Sequence, residues 1–151
     1  DKSSLLAELA TQAFQELRAA ITAVIQSTNT PVTNFQNCGM AYLRYATNNP
    51  EKYKLMFGPA IQPRDNFPQL TAAAHQAFTV LVNLIEDGIQ QGVFKQHPAA
   101  LMAISCWSGI HGFAMLSIDK LITRIELPTP LTELELLHNQ MQMCLSSVLN
   151  H

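Results

Sequence analysis

The chain is expected to be all-helical, with about six helices, on three observations. No segment sustains a two-residue alternation of apolar and polar residues, and no Asn-Gly hairpin signal occurs. Apolar residues recur instead at three- and four-residue intervals over long windows. Prolines stand at Thr30-Pro31, Asn49-Pro50, Asn66-Phe67-Pro68, His97-Pro98 and Thr129-Pro130, places where a proline suits a helix start. A Thr or Asn suited to capping precedes most of them.

The first helix is expected over residues 4–26, with Ala10, Phe14, Leu17, Ile21 and Val24 as its apolar stripe. The second, over 31–47, carries Phe35, Cys38, Tyr42 and Tyr45. The third is short, 50–57, and Gly58 reads as its stop. A loop with two prolines follows, the longest break in the pattern. The fourth helix, 68–91, has a stripe of His75, Phe78, Val82, Ile85 and Ile89, broadened by Leu70, Ala74, Leu81 and Leu84, and Gly92 reads as its stop.

The fifth helix is the centre of the pattern. Pro98 fits its first helical position, and almost no charge follows until Asp119 and Lys120. A helix that is apolar all round is buried on more than one side. Ala100, Ile104, Trp107, His111, Met115 and Ile118 share one side, while Ser105, Gly109, Gly112 and Leu116 fall near the other. Glycine costs about 1 kcal/mol against alanine within a helix. Close approach of another backbone is the natural reason for two of them. The sixth helix, 130–149, groups Leu131, Leu134, Leu137, His138, Met141, Leu145 and Val148, with Leu136 and Met143 opposite, so it too faces more than one neighbour.

The 151 residues fit one domain, 1–151, with a core that needs no staples. Hydrophobic residues make up 48% and charged ones only 13%, far below the usual quarter. Such a surface points to a partner or an internal cavity. The net charge is −2 and no Lys/Arg run exists, which excludes the electrostatic footprint of a nucleic-acid binder. Three cysteines, Cys38, Cys106 and Cys144, without a C-x-x-C pair argue against a disulfide framework and suit a reducing cytoplasm. No signal peptide is evident, and Ser, Gly and His interrupt the longest apolar run, so no membrane span is expected. The first residue is Asp, compatible with a missing N-terminal part.

Few constellations carry chemistry. No carboxylate sits in an apolar context with a partner, and no G-x-S-x-G occurs, so an enzyme is not expected. His138, Met141 and Cys144, or Cys106 and His111, lack zinc-ligand spacing, and neither metal nor cofactor is expected. His111 is either a ligand contact or pH switch, or a neutral core histidine satisfied by a neighbour, and the second reading is favoured. Trp107, Phe14, Tyr42, Met56, Phe57, Phe78 and Met115 are each more simply core than pocket.

Trp107-Ser-Gly-Ile-His111-Gly112, a W-x-x-x-H-G followed by Phe-Ala-Met-Leu, resembles a signature of one branch of the TetR-type transcriptional regulators, in their C-terminal ligand-binding and dimerising domain. The Gln-Gln-Gly92-Val-Phe approach to His97-Pro98 and the opening Asp1-Lys2-Ser-Ser-Leu5-Leu6 fit the same family. The resemblance implies an antiparallel bundle of the TetR C-terminal type whose helix-turn-helix head is absent from this sequence. It implies a pocket between the first five helices for an uncharged or weakly polar organic effector. Phe14, Phe78, Ile104, Trp107 and Met115 would supply its area, and Tyr42 and His111 its polar contacts. It implies a homodimer through the last two helices, at Ser105, Gly109, Gly112, Leu116, Leu134, Leu137, His138, Met141 and Leu145. DNA would be reached only through the missing head. The alternative is a helical dimerisation or adaptor module without a small-molecule site; a helical enzyme or lipid carrier is a weaker third.

Overall fold

A computed structural model describes every residue, Asp1–His151, and contains six α-helices. They are α1 Lys2–Ala23, α2 Pro31–Asn48, α3 Pro50–Phe57, α4 Pro68–Gln90, α5 Ala99–Ile118 and α6 Glu133–Val148. Single 3-10 turns at Arg64–Asn66 and Ile122–Arg124 interrupt two of the loops. There is no strand. One antiparallel bridge joins Phe94 to Leu149, where Lys95 N–H donates to the Val148 carbonyl at 2.9 Å and Asn150 N–H to the Val93 carbonyl at 3.0 Å. That bridge ties the end of α6 to the connection between α4 and α5.

The helix ends have local chemical causes. Asp1 caps α1, its Oδ1 accepting from Ser4 N–H at 2.8 Å, so this helix starts before residue 4. Thr30 caps α2 by accepting from Thr33 N–H at 3.1 Å, with Pro31 just inside. Asn49 does not cap α3 with its side chain, which instead donates back to the Tyr45 carbonyl at 3.0 Å. Gly92, at φ 73°, closes α4: Gly92 N–H bonds the Ile89 carbonyl and Val93 N–H the Gly88 carbonyl, both at 3.0 Å. The same double bond ends α5 around Lys120, which adopts φ 57° without being glycine.

Two expected starts are corrected. Pro98 lies one position outside α5, as its cap residue, with Leu101 and Met102 N–H groups donating to its carbonyl. Helix α6 begins at Glu133, not at Pro130. Thr132 accepts from Glu135 N–H at 3.2 Å while Glu135 Oε2 accepts from Thr132 N–H at 2.7 Å. This reciprocal box satisfies two orphan donors at once and outweighs the proline signal three residues earlier.

Helix α1 packs on α2, α3 and α4; α4 and α5 pack together; and α2 bridges to α4, α5 and α6. Tyr53, Phe35, Phe94, Leu17, Leu43, Met56, Ile61, Leu70, Ile85 and Val148 are fully buried. Each apolar side chain of this kind contributes about 1.5–3 kcal/mol on burial. The core thus runs from α1–α4 through the inner side of α5 to the inner side of α6. The outer sides of α5 and α6 stay open, with Leu101, Ile104, Leu116, Leu134 and Met143 exposed, as are Leu121, Ile125, Leu127 and Leu131 between the two helices.

Candidate functional site

The inner stripes of α1, α2, α4 and α5 do not meet perfectly, and a cavity of about 100 Å3 remains among them. That is smaller than the few hundred Å3 typical of ligand pockets. Thirteen of its fourteen lining residues are hydrophobic. Phe14, Leu17 and Ile21 come from α1, Phe35, Cys38, Gly39 and Tyr42 from α2, and Phe57 from α3. Ala74, Ala77, Phe78 and Leu81 come from α4, and Trp107 and Ile110 from α5. Helical spacing puts each set on one side of its helix.

Aromatic rings make the harder part of the wall. Phe57 meets Phe14 edge-on with centroids 5.3 Å apart, and lies 5.8 Å from Trp107, which in turn lies 6.0 Å from Phe78. Such offset and edge contacts suit the ring quadrupoles. The wall carries no carboxylate, lysine or arginine. Burial pushes the Cys38 thiol up to about 12 and the Tyr42 phenol to about 12, so both are neutral there at ordinary pH.

One polar thread runs beside the cavity. Trp107 Nε1–H donates to Tyr42 Oη at 3.0 Å; Tyr42 Oη and Tyr53 Oη are 2.7 Å apart; and Tyr53 Oη is 2.6 Å from His111 Nδ1. One orientation of the thread gives every hydroxyl proton an acceptor. Tyr42 accepts from Trp107 and donates to Tyr53, and Tyr53 donates to His111, whose Nδ1 must then be unprotonated. Burial lowers the His111 pKa below its ordinary 6.5, in keeping with a neutral ring. No buried side-chain nitrogen or oxygen is left without a partner.

Of the residues expected at a ligand, Phe14, Tyr42, Phe78 and Trp107 line the cavity. Ile104, His111 and Met115 are not in its wall. Ile104 is 49% exposed, at the margin between the inner and outer sides of α5. His111 is occupied by Tyr53, a satisfied histidine as the simpler reading had it. Tyr53 was not singled out in the sequence. Its signal was its place in a short helix flanked by Pro50 and Gly58, which does not specify direction.

The residues expected at a pairing face also divide. Ser105, Gly109, Leu116, Leu134 and His138 are exposed, and Gly112 and Leu137 are half-buried. Met141 and Leu145 are corrected: at 3% and 6% exposure they point into the chain's own core. Gly109 is accounted for within the chain, since a Cβ there would lie 3.1 Å from Gln140 Nε2. Around Gly112 the same atom would meet nothing within 4 Å. Helix α5 is, by length and composition, apolar enough to cross a membrane, with a mean hydropathy of 1.5, so interruption by Ser, Gly and His does not exclude a span on those grounds. Its inner residues Met102, Ala103, Cys106, Ile110 and Ala114 are nonetheless buried against the bundle. Among the side chains, no group of three His, Cys, Asp or Glu is placed to hold a metal ion.

A family model described as "Tetracyclin repressor-like, C-terminal domain" matches residues 35–136. No curated protein matches the chain in sequence. Among solved structures, a protein of unknown function from Rhodococcus sp. RHA1 superposes with a TM-score of 0.80 at 19% identity, covering 99% of this chain and 74% of that one. A regulatory protein of the tetR family from Rhodococcus RHA1 gives 0.78 at 16% identity, covering 100% and 76%. The ketosteroid transcriptional regulator of Mycobacterium tuberculosis gives 0.70 at 18% identity, covering 100% and 74%. At these identities the structures show the shared helical fold.

Proposed function

The chain belongs to the family of tetracyclin repressor-like C-terminal domains, and on that premise we propose that residues 1–151 form the effector-binding and dimerising domain of a cytoplasmic transcriptional regulator. The observation that carries this reading is the apolar cavity where α1, α2, α4 and α5 converge. A regulator of this kind needs a ligand that binds two conformations unequally. The effector that fits is a small, uncharged, mostly apolar molecule, because no charged side chain lines the wall. Phe14, Phe78 and Trp107 supply contact area, and Tyr42 the nearest polar atom.

Helix α1 lines the cavity through Phe14, Leu17 and Ile21 and also packs on α2, α3 and α4. A ligand that wedges these side chains apart moves α1. In this family's architecture a helix-turn-helix head adjoins α1, so movement there resets the spacing of two recognition helices over successive major grooves. Pairing of two chains brings those heads together. The outer sides of α5 and α6 supply the pairing face, around Ser105, Gly112, Leu116 and Leu134 with His138. Large apolar side chains left exposed on both helices favour a partner that covers them.

The cavity's size keeps a second reading in view, a helical dimerisation module without an effector, since about 100 Å3 is small for an organic ligand. Thermal denaturation of the chain and of Trp107→Ala, with and without candidate neutral aromatics, separates the two. An effector-binding domain is stabilised by ligand, and the Trp107→Ala variant loses most of that gain. A variant that is less stable yet keeps the full ligand-induced gain would show that Trp107 is only core.

A further inference from the structure

Behind Met141, on the outer side of α2, the molecule carries a second concavity of opposite chemistry. It is an open cleft of about 510 Å3 between the end of α1, the middle of α2 and α6. Its polar wall consists of Gln36, Asn37, Arg44, His138 and Gln142, and Met141 forms part of its floor. No acidic residue lines it. The chain's two ion pairs, Lys52–Glu16 and Lys54–Asp119, involve neither Arg44 nor His138. The side-chain hydrogen bonds made from α2 and α6 involve other residues, among them Asn34, Tyr42, Tyr45, Thr47, Gln140 and Ser147, and none of these five side chains.

The surrounding sequence is as one-sided as the wall. Residues 17–49 hold Arg18 and Arg44 as their only charged groups, and no Asp or Glu occurs after Glu135. In a chain of net charge −2, Arg44 thus sits in a cleft without a carboxylate in its wall and without an ion-pair partner. A guanidinium offers up to five donors in a planar fork that matches a carboxylate or a phosphate oxygen pair. The amides of Gln36, Asn37 and Gln142 add rotatable donors around it. Charge, donor geometry and the want of a competing carboxylate all select for one ligand chemistry.

We propose that this cleft is a second binding site, for a small organic anion with a carboxylate or phosphate head held by Arg44. It stands apart from the proposed apolar effector site and does not rest on that site being occupied. The two are nevertheless adjacent. Gly39 lines the inner cavity, and a Cβ on Gly39 would overlap Sδ and Cε of Met141, which lines the outer cleft. One methionine side chain is therefore the partition between a neutral, apolar compartment and a cationic, polar one.

The test is a 1H–15N NMR titration of the chain with sodium hexanoate, inorganic phosphate and 1-hexanol at constant ionic strength. Saturable shifts of the Arg44 Nε–H and of the Gln36 and Gln142 side-chain amides are expected with hexanoate, with phosphate or with both. Response to one anion alone identifies the head group. Hexanol leaves these signals in place. Arg44→Gln, at an exposed position, keeps the melting temperature and weakens anion binding about tenfold or more. Shifts of equal size with hexanol, no saturable shift with either anion, or undiminished binding by Arg44→Gln would overturn the proposal. So would signals that move only with protein concentration, which would assign the cleft to contact between two copies of the chain.

Discussion

The two sides of α5 have much the same apolar content and quite different surroundings. On the inner side Cys106, Ile110 and Ala114 are buried, and Trp107 is locked by a hydrogen bond to Tyr42 and by the rings of Phe57 and Phe78. On the outer side Leu101, Ile104 and Leu116 are exposed, and Gly112 has open space where a side chain would be. The difference shows that hydrophobicity in a helix says how much surface must be covered, not by what. The inner side is covered by its own chain; the outer side is left open.

Glycine substitutions break this comparison most sharply, because one chemical change can be made on a packed surface and on an open one. At Gly88 a Cβ would overlap the ring of Phe94, which is fully buried and edge-on to Phe35. Gly88→Ala should therefore cost about 3 kcal/mol, the upper part of the usual overpacking range. Urea denaturation measures it; an unchanged midpoint would mean that the inner packing is looser than described.

Tyr53→Phe sharpens the account of the polar thread. It removes the hydroxyl between Tyr42 and His111, leaving Tyr42 without an acceptor and His111 Nδ1 without a donor. Leaving buried groups unpaired costs about 1–3 kcal/mol in total. Tyr42→Phe and Tyr53→Phe together should cost less than the sum of the two, since they share one bond.

Gly112→Ala is the counterpart on the open side. Within one chain it should raise stability by about 1 kcal/mol through helix propensity, with nothing to clash against. If a second copy approaches at this point, the added methyl weakens pairing. Denaturation at low protein concentration and sedimentation at high concentration read these two effects separately.

The smallest effect is that of pH on His111. Burial depresses its folded pKa below the ordinary 6.5, so the unfolded chain binds the proton more readily. The contribution of the neutral ring is thus fully present above about pH 6.5 and is lost as pH falls through the folded value. Protonation also reverses the Nδ1 atom from acceptor to donor and strands the Tyr42 hydroxyl proton. His111→Gln should flatten the fall in stability that sets in below about pH 6.5.

Much of this arrangement was legible in the residues. The Pro50 and Gly58 punctuation marked α3 as observed, and the six-helix class followed from helical spacing together with the proline punctuation. Phe14, Tyr42, Phe78 and Trp107 were legible as a group because each sits on the apolar stripe of a long helix. Ile104 misled, since on a helix apolar all round the eye cannot separate inner from outer by hydrophobicity. Met141 and Leu145 misled for the same reason on α6. The start of α6 was recoverable: Thr132-Glu133-Leu134-Glu135 is a capping box in plain sequence. Tyr53, packed against Phe57 beneath Trp107, was not recoverable, because the direction of an eight-residue helix is set by what it packs on.

The central claim is that the inner side of α5 closes over a neutral effector while the outer side closes over a second copy. Native mass spectrometry of the protein purified from its host tests both halves in one spectrum. The account predicts a species of twice the chain mass, carrying the added mass of a small uncharged molecule that is lost on activation in the gas phase. A bare monomer, persisting at micromolar concentration with no adduct, would contradict it.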